Sequence, residues 1–207
     1  EPTIDVDDTL SATQVAMLQY INSKSETEYR FEELTRAHRE KEIGEYEEFV
    51  QEFLSQPDLV VNSEPFENAL TAMRRLHEAG YEIHIASSRK EPLHDATIDW
   101  LTKHGFIDYV KEVHPRSSSM KGREFKRMVA DSIKPLAAFD DTLEVAETLA
   151  GSGIPVYLIH RPWNITDDLP ANVIRADDFH SAVRDFLSNS SAVEPETTSD
   201  PNPAPPS

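Results

Sequence analysis

The chain has 207 residues, of which 38 are acidic and 20 are basic, so its net charge is −18. No stretch approaches the roughly 20 consecutive apolar residues that a membrane-spanning helix needs, which excludes a transmembrane protein. The negative surface repels nucleic-acid backbones and anionic membranes, so neither is an expected partner. Without cysteine the chain has no disulfide, no thiolate nucleophile and no cysteine-ligated zinc. The compartment stays open on this ground, with the cytoplasm as the expectation.

Short apolar runs alternate with amphipathic helical patterns along most of the chain. Strands are predicted at residues 2–6, 81–86, 109–113, 136–139 and 155–159. Helices are predicted from residue 66 towards Gly80, and at residues 93–104, 122–133 and 142–150. This alternation is typical of a parallel sheet with helices on both faces. The predicted fold class is therefore α/β, with a doubly wound sheet.

One region interrupts the alternation. Residues 11–64 contain no convincing strand and many charged helical patterns, which is too much helix for one crossover between strands. We predict that they form an inserted helical cap over the carboxyl edge of the sheet, where open α/β sheets bind ligands. Residues 1–10 and 65–188 then form the α/β core. The proline-rich residues 189–207 are predicted to be a disordered tail.

Acidic residues follow the first strand. Asp5 and Asp7 lie two residues apart at its end, and Asp8 adds a third acid, assigned to capping the turn. Acids this close repel one another unless a cation lies among them, and carboxylates are ligands that Mg²⁺ prefers. A solvated acidic turn is the simpler explanation of a single such triplet, so a second signal is needed.

The second signal is another acidic pair, Asp140 and Asp141, which follows a later apolar run. Carboxyl ends of parallel strands meet at one edge of a sheet, so this pair can converge with the first acids. Ser87 closes the second strand, and Lys121 ends a polar loop just before a helix. Carboxylates for a metal and a nucleophile, a hydroxyl for a phosphate oxygen and a lysine for charge indicate phosphoryl transfer.

These four elements, in this order, resemble the motifs of the haloacid dehalogenase (HAD) superfamily of phosphotransferases. The first motif there, DxDx[TV], corresponds to DVDDT at residues 5–9, and the last corresponds to the acidic pair. A closer resemblance is to the type-C 5′-nucleotidases (deoxyribonucleotidase-like). It is carried by IDVDDTL, by EIHIASSR at residues 82–89, by TIDWL followed by HGF, and by PWN at residues 162–164. Ser87 stands where threonine is commoner in that family.

The resemblance implies a role for each motif residue. Asp5 would attack phosphorus and become an aspartyl-phosphate, while Asp7 would protonate the leaving alcohol and then deprotonate the attacking water. Ser87 would bind a phosphate oxygen, together with a lysine. Mg²⁺ would be held by the carboxylates of Asp5 and Asp140 and by the backbone carbonyl of Asp7. Asp141 would bind it directly or through water.

Two assignments stay open. Lys121 is preferred as the phosphate-binding lysine because it lies where a loop meets a helix, and Lys126, inside that helix, is the alternative. Arg89 either reaches a substrate phosphate or pairs with Asp95 on the next helix.

The expected protein is a Mg²⁺-dependent phosphomonoester hydrolase, and within that class a 5′-nucleotidase acting on (deoxy)nucleoside monophosphates. Its expected partner is thus a small phosphorylated substrate. Tyr29 and Phe31 in the cap are aromatic candidates for stacking on a base, although packing within the cap accounts for them as well. The alternatives are a polynucleotide 3′-phosphatase, another small-molecule HAD phosphatase, and a catalytically idle HAD domain used for binding.

Overall fold

A computed structural model describes residues 1–26, 28–35 and 45–191. Its strands are β1 (Thr3–Ile4), β2 (Ile83–Ile85), β3 (Val110–Val113), β4 (Ala138–Asp140), β5 (Val156–Ile159) and β6 (Val173–Ala176). They form one sheet in the order β3-β2-β1-β4-β5-β6, and every neighbouring pair is parallel. This architecture confirms the predicted α/β fold class.

The helices of the described residues connect these strands and form an insertion after the first one. They are α1 (Thr13–Lys24), α2 (Glu45–Leu54), α3 (Pro57–Val61), α4 (Ala69–Glu78), α5 (His94–Lys103), α6 (Gly122–Ile133), α7 (Leu143–Ala150) and α8 (Phe179–Ser191). None of them combines the length and the apolar content that crossing a bilayer requires.

Alternate residues of a strand point to opposite sides of the sheet, and apolar side chains occupy both sides. Phe139 and Tyr157 turn to one face and pack in a core with residues of α4, α5 and α8. Ala138 and Leu158 turn to the other face and pack with residues of α6 and α7. Helices therefore cover both sides, which is the doubly wound arrangement.

Local sequence explains which face of the helix α4 is buried and where the helix ends. Ala69, Ala72, Met73 and Leu76 are its buried residues, and their spacing makes one apolar face. Gly80 follows the helix with φ of +85°, in the left-handed region that a residue without Cβ adopts at little cost. The chain then turns directly into β2.

The insertion after β1 contains α1, α2 and α3, which lie within the segment predicted to be a cap. Four residues of the insertion form an apolar cluster with two residues of the α/β core: Met17, Ile21, Phe53 and Val60 with Leu93 and Ala96. The indole Nε1 of Trp100 on α5 donates to the carbonyl of Ser63 at 2.7 Å. The insertion is thus packed and hydrogen-bonded onto the core. Residues 27 and 36–44 of the predicted cap lie outside the described residues.

The chain after β5 differs from the sequence prediction. The strand β6 and the helix α8 were not predicted, and α8 extends to Ser191, so residues 189–191 of the predicted tail are helical. The strand was missed because its apolar run, Val173–Ile174, is only two residues long before Arg175 interrupts it. Residues 192–207 of the predicted tail lie outside the described residues.

Candidate active site

Asp5 lies directly after β1, in the middle of the sheet. Its backbone N–H donates to the carbonyl of Phe139 at 3.0 Å, which aligns it with the end of β4. The flanking side chains of Ile4 and Val6 are completely buried. These apolar anchors hold the backbone in place, so the buried carboxylate of Asp5 has a fixed position at the carboxyl edge.

The end of β4 brings further acids to the same place. Asp5, Asp140 and Asp141 each offer a carboxylate oxygen, and these oxygens lie within 4.8 Å of one another. Lys126 Nζ donates to Asp140 Oδ2 at 2.6 Å and lies 3.0 Å from Asp5 Oδ1. All four side chains are buried. We call Asp5, Lys126, Asp140 and Asp141 the aspartate–lysine cluster.

The structure brings Lys126 to these carboxylates, whereas the sequence analysis preferred Lys121. Lys121 is exposed and precedes the first residue of α6. The buried residues of that helix include Phe125, Lys126 and Val129, so this is the face that α6 turns to the sheet. Its rotation therefore points Lys126 inward, and the loop-to-helix position of Lys121 leaves that side chain in solvent.

Burial sets the electrostatics of the aspartate–lysine cluster. It raises the pKa of Asp5 well above its usual range, because the opposing attraction of Lys126 is outweighed by burial and the nearby acids. Burial and the charge of Asp140 raise the pKa of Asp141 to about 7. For Lys126, burial favours the neutral form, but Asp140 and Asp5 outweigh it and raise the pKa. The cluster thus has more carboxyl groups than its single cation can keep ionised.

Asp5 also has an incompletely satisfied oxygen. Its Oδ1 is buried and has no hydrogen-bond partner among the described residues, although Lys126 is within ion-pair distance. A buried acceptor in this state costs free energy unless a cation or a donor approaches it. Three buried carboxylates around such an atom fit a hard divalent cation with oxygen ligands, such as Mg²⁺.

Asp7, two residues from Asp5, has a different environment. Arg89 donates to it from Nε, at 3.1 Å to Oδ1 and 3.0 Å to Oδ2, and from Nη2 at 2.7 Å to Oδ1. The hydroxyl of Thr13 donates to Asp7 Oδ1 at 2.6 Å. Burial acts to raise the pKa of Asp7, but Arg89 and Thr13 outweigh it, so the pKa is lowered. Asp7 is therefore held as a carboxylate.

Ser87 lies just beyond β2 and is buried. Its Oγ accepts from the backbone N–H of Arg89 at 3.2 Å, so the turn after β2 also fixes the arginine. The start of α6 passes close by, since a Cβ on Gly122 would lie 2.6 Å from Ser88 Oγ. Glycine at this position lets α6 approach the turn.

Comparison with models of protein families identifies the family of this chain. The family described as "5′ nucleotidase, deoxy (Pyrimidine), cytosolic type C protein" matches residues 3–141, more than half of the chain. The chain belongs to this type-C 5′-nucleotidase family. It is accordingly a hydrolase of the HAD phosphatase type, as the sequence motifs predicted. No functionally curated protein matches its sequence.

Solved structures share the fold of this type-C nucleotidase family member at low sequence identity. A haloacid dehalogenase-like hydrolase from Streptococcus pneumoniae has a TM-score of 0.64 at 12% identity, covering 91% of this chain and 97% of that one. CbbY from Rhodobacter sphaeroides, solved with phosphate, has a TM-score of 0.58 at 14% identity, covering 86% and 94%. L-2-haloacid dehalogenase from Xanthobacter autotrophicus has a TM-score of 0.59 at 10% identity, covering 90% and 97%.

In this family member, the 3₁₀ turn after β5 orients the last acid. Trp163 Nε1 donates to Asp141 Oδ2 at 2.8 Å, and Asn164 Nδ2 donates to the carbonyl of Asp141 at 2.6 Å. Phe31 of the inserted cap packs edge-on against Trp163, with ring centroids 5.5 Å apart. The PWN sequence at residues 162–164 therefore supports the acid pair and also meets the cap.

The remaining motif residues are accounted for as follows. Asp8 Oδ1 accepts from the backbone N–H of Gln14 in the first turn of α1, so Asp8 caps this helix, whereas it was predicted to cap the turn after β1. Arg89 was left open between a substrate phosphate and Asp95, and in the structure it pairs with Asp7. Thr13 was not predicted, because no sequence pattern links a helix-start threonine to the preceding acids.

Proposed function

We propose that this type-C nucleotidase family member is a Mg²⁺-dependent phosphomonoesterase that acts through an aspartyl-phosphate on Asp5. The proposed substrates are 5′-monophosphates of (deoxy)nucleosides. The observation that carries the proposal is the buried convergence of Asp5, Asp140, Asp141 and Lys126 at the carboxyl edge. Such a set of groups matches the needs of phosphoryl transfer, which depends mostly on positioning and electrostatic stabilisation.

Asp5, Asp140 and Asp141 would hold the Mg²⁺, with the backbone carbonyl of Asp7 as a further ligand. A bound Mg²⁺ neutralises the charge of the phosphoryl oxygens and lets an anionic nucleophile approach them. The mutual repulsion of the acids in the aspartate–lysine cluster, which raises the pKa of Asp5, and the unsatisfied Asp5 Oδ1 support this assignment.

Asp5 is the proposed nucleophile. One of its carboxylate oxygens forms a bond to phosphorus while the ester P–O bond breaks and the alcohol leaves. Water then attacks the phosphorus, the bond to Asp5 breaks, and inorganic phosphate is released. Division into two displacements lowers the barrier of each. Lys126 and Ser87 would contact the phosphate oxygens, so Lys126 takes the role for which Lys121 was preferred on sequence.

Asp7 is the proposed general acid and base. It donates a proton to the leaving alcohol in the first step and takes one from water in the second. Arg89 favours its carboxylate form in the free enzyme. A phosphate dianion beside Asp7 has the opposite effect, because a neighbouring negative charge raises the pKa of a carboxyl group. Substrate binding would thus prepare Asp7 to carry the proton.

A pocket of about 360 Å³ next to Asp7 supports the proposed substrate size. That volume is within the usual range for small-molecule sites. The cap and the core both line it, and the lining combines cations with apolar side chains: Asp7, Gln51, Leu54, Ser55, Ser88, Arg89, Lys90, Pro92, Leu93 and Arg116. A nucleoside presents an apolar ring and polar sugar hydroxyls to such a lining, whereas a polynucleotide end must pass the cap and an acidic surface.

The test compares nucleoside 5′- and 3′-monophosphates, sugar phosphates and a 3′-phosphorylated oligonucleotide, with and without Mg²⁺. We expect kcat/KM for a nucleoside monophosphate to exceed that for the oligonucleotide by at least about tenfold, equivalent to about 1.4 kcal/mol. The difference should grow at low ionic strength, because the chain repels a polyanion more than a monophosphate.

Preference for the oligonucleotide would favour a polynucleotide phosphatase. Preference for a sugar phosphate would retain the phosphatase and remove the nucleotide assignment. If no phosphate ester is hydrolysed, the remaining interpretation is a HAD domain used for binding.

A further inference from the structure

A second group of metal-binding side chains lies outside the phosphatase site. His84 is the middle residue of β2, Glu112 is on the neighbouring strand β3, and His114 directly follows β3. His84 and Glu112 are register partners, and His114 is two residues further along, so all three point to one face of the sheet. Their ligand atoms lie within 4.8 Å of one another.

The distances in this group resemble those between ligands of one small cation. His84 Nδ1 and His114 Nε2 are 2.9 Å apart. The carboxylate of Glu112 lies 3.8 Å from His84 Nδ1 and 3.7 Å from His114 Nδ1. Tetrahedral Zn²⁺ with bonds of about 2.0–2.1 Å separates its ligands by roughly 3.3 Å. The two distances from His84 Nδ1, to His114 Nε2 and to Glu112, are thus within about half an ångström of this separation. The two imidazoles share a hydrogen bond through these nitrogens, and they would turn to direct both nitrogens at a bound metal.

The far side of the His84 ring supplies a second, independent observation. The residue is only 4% exposed, and its Nε2 has no hydrogen-bond partner among the described residues. The carboxylate of Glu1 lies 3.8 Å from that nitrogen. A histidine that binds a metal through one nitrogen usually presents the N–H of the other to a carboxylate. Coordination through Nδ1 would place the hydrogen on Nε2, facing Glu1.

We propose that His84 Nδ1, His114 Nε2 and a Glu112 carboxylate oxygen form a site for Zn²⁺ or a similar borderline divalent metal, with solvent in the remaining position. The two rings then carry their hydrogens on the outward nitrogens, so neutral histidines release no proton on binding. Imidazole ligands distinguish this site from the all-oxygen aspartates, which suit Mg²⁺.

The position of the site gives the metal a structural role. β3 is at the edge of the sheet, and just beyond its end the N–H of His114 donates to the carbonyl of Ile85 at 2.9 Å. A metal that bridges His84 and His114 would fasten this edge. The segment after β2 carries Ser87 and Arg89, so the same metal would stabilise the strand that positions them.

The experiment uses the purified, metal-stripped full chain with excess Mg²⁺ present to fill the aspartate site. Isothermal titration with Zn²⁺ should show one tight equivalent, and Zn²⁺ should raise the melting temperature. NMR of the histidine side chains should show shifts confined to His84 and His114. None of these measurements uses phosphatase activity.

The variants Glu112→Gln and His114→Ala test the ligands at partly accessible positions. Each should weaken Zn²⁺ binding by roughly 100-fold or more, since loss of even an outer partner of a ligand costs about 10–100-fold. His77→Ala removes an exposed histidine of α4 and is the matched control, expected to bind as the parent does. Circular dichroism checks that each variant is folded. The proposal is overturned if the parent binds no Zn²⁺ under excess Mg²⁺, or if the ligand variants bind as tightly as the control.

Discussion

Two acids of one motif occupy opposite environments in this molecule. Asp5 is surrounded by the acids of the aspartate–lysine cluster, and its pKa is raised. Asp7 is two residues away, accepts three hydrogen bonds from Arg89, and its pKa is lowered. The difference teaches that the DxD spacing separates two tasks, because neighbouring acids with divergent pKa values take different roles. Asp5 shares its one cation, Lys126, with Asp140, whereas Asp7 is paired with Arg89.

The strongest test of this comparison is Asp5→Asn against Asp7→Asn. We expect Asp5→Asn to lower turnover by roughly 10³-fold or more, since loss of a nucleophile removes the covalent path. Asp7→Asn should also lose turnover, but with a good leaving group it should still give a burst of product. Rapid-quench kinetics with an aryl phosphate measures both. Turnover of Asp5→Asn within about tenfold of the parent, or a burst absent from Asp7→Asn, would contradict the division of roles.

The second test concerns the cation of the aspartate–lysine cluster. Lys126→Met should destabilise the metal-free protein by about 3–5 kcal/mol, because it leaves buried carboxylates without their partner. With Mg²⁺ present, turnover should fall by roughly 100-fold, the scale of losing one stabilising contact to the transition state.

Lys121→Met is the matched control, because it removes an exposed lysine beside the same helix. A surface change of this kind alters free energies by about 0.5 kcal/mol at most, so turnover should stay within about twofold. Chemical denaturation and steady-state kinetics provide the measurements. Equal losses in both variants would return Lys121 to the site.

The third test uses pH on the metal-free protein. The folded-state pKa of Asp141 is about 7, above its ordinary value of 3.8. Between these values the folded state binds more protons than the unfolded state, so stability falls as pH rises. The loss between about pH 4 and pH 7 is of the order of 4 kcal/mol for a shift of this size.

Thermal unfolding in chelator at several pH values measures this loss. Asp141→Asn removes the titrating group and should flatten the profile, and Mg²⁺ should stabilise the parent most at the higher pH. A metal-free stability that is constant or increases across this range would show that the acids are not electrostatically strained.

The smallest expected effect concerns Asp7 itself. Arg89→Met should raise the pKa of Asp7, because the adjacent guanidinium favours its carboxylate form. Lys90→Met, an exposed neighbour in the same pocket, should change it little. The carboxyl-carbon NMR shift of Asp7 followed through a pH titration gives the value directly. An unchanged pKa in Arg89→Met would mean that Thr13 and the backbone, and not Arg89, keep Asp7 ionised.

The sequence predicted the sheet and both acidic clusters, because these depend on rules of short range. Acids that follow apolar strands of a parallel sheet lie at one edge, and the two clusters meet there because β1 and β4 are neighbours. The choice between Lys121 and Lys126 could not be made from such rules, because the direction of each side chain depends on how α6 is rotated. Lys126 does share the apolar face with Phe125 and Val129, and this placement was the available signal.

The pairing of Asp7 with Arg89 has no comparable signal. The two residues are 82 positions apart, and Arg89 has several acids within reach in the sequence. Its choice depends on how the turn after β2 faces the start of α1, where Thr13 adds a third group. Only the packed structure determines such a contact. The edge strand β6 was missed for a different reason, since its apolar run of Val173–Ile174 is too short to indicate a strand.

The indole of Trp163 touches both halves of the molecule. One side of this ring meets Phe31 of the cap, and its N–H is donated to Asp141. A substitution in the insertion that alters the Phe31 contact would therefore also disturb the geometry of Asp141, a proposed metal ligand. Substrate preference and turnover would therefore change together in such a protein. An insertion exchanged between relatives would need an aromatic residue that packs on Trp163, as Phe31 does.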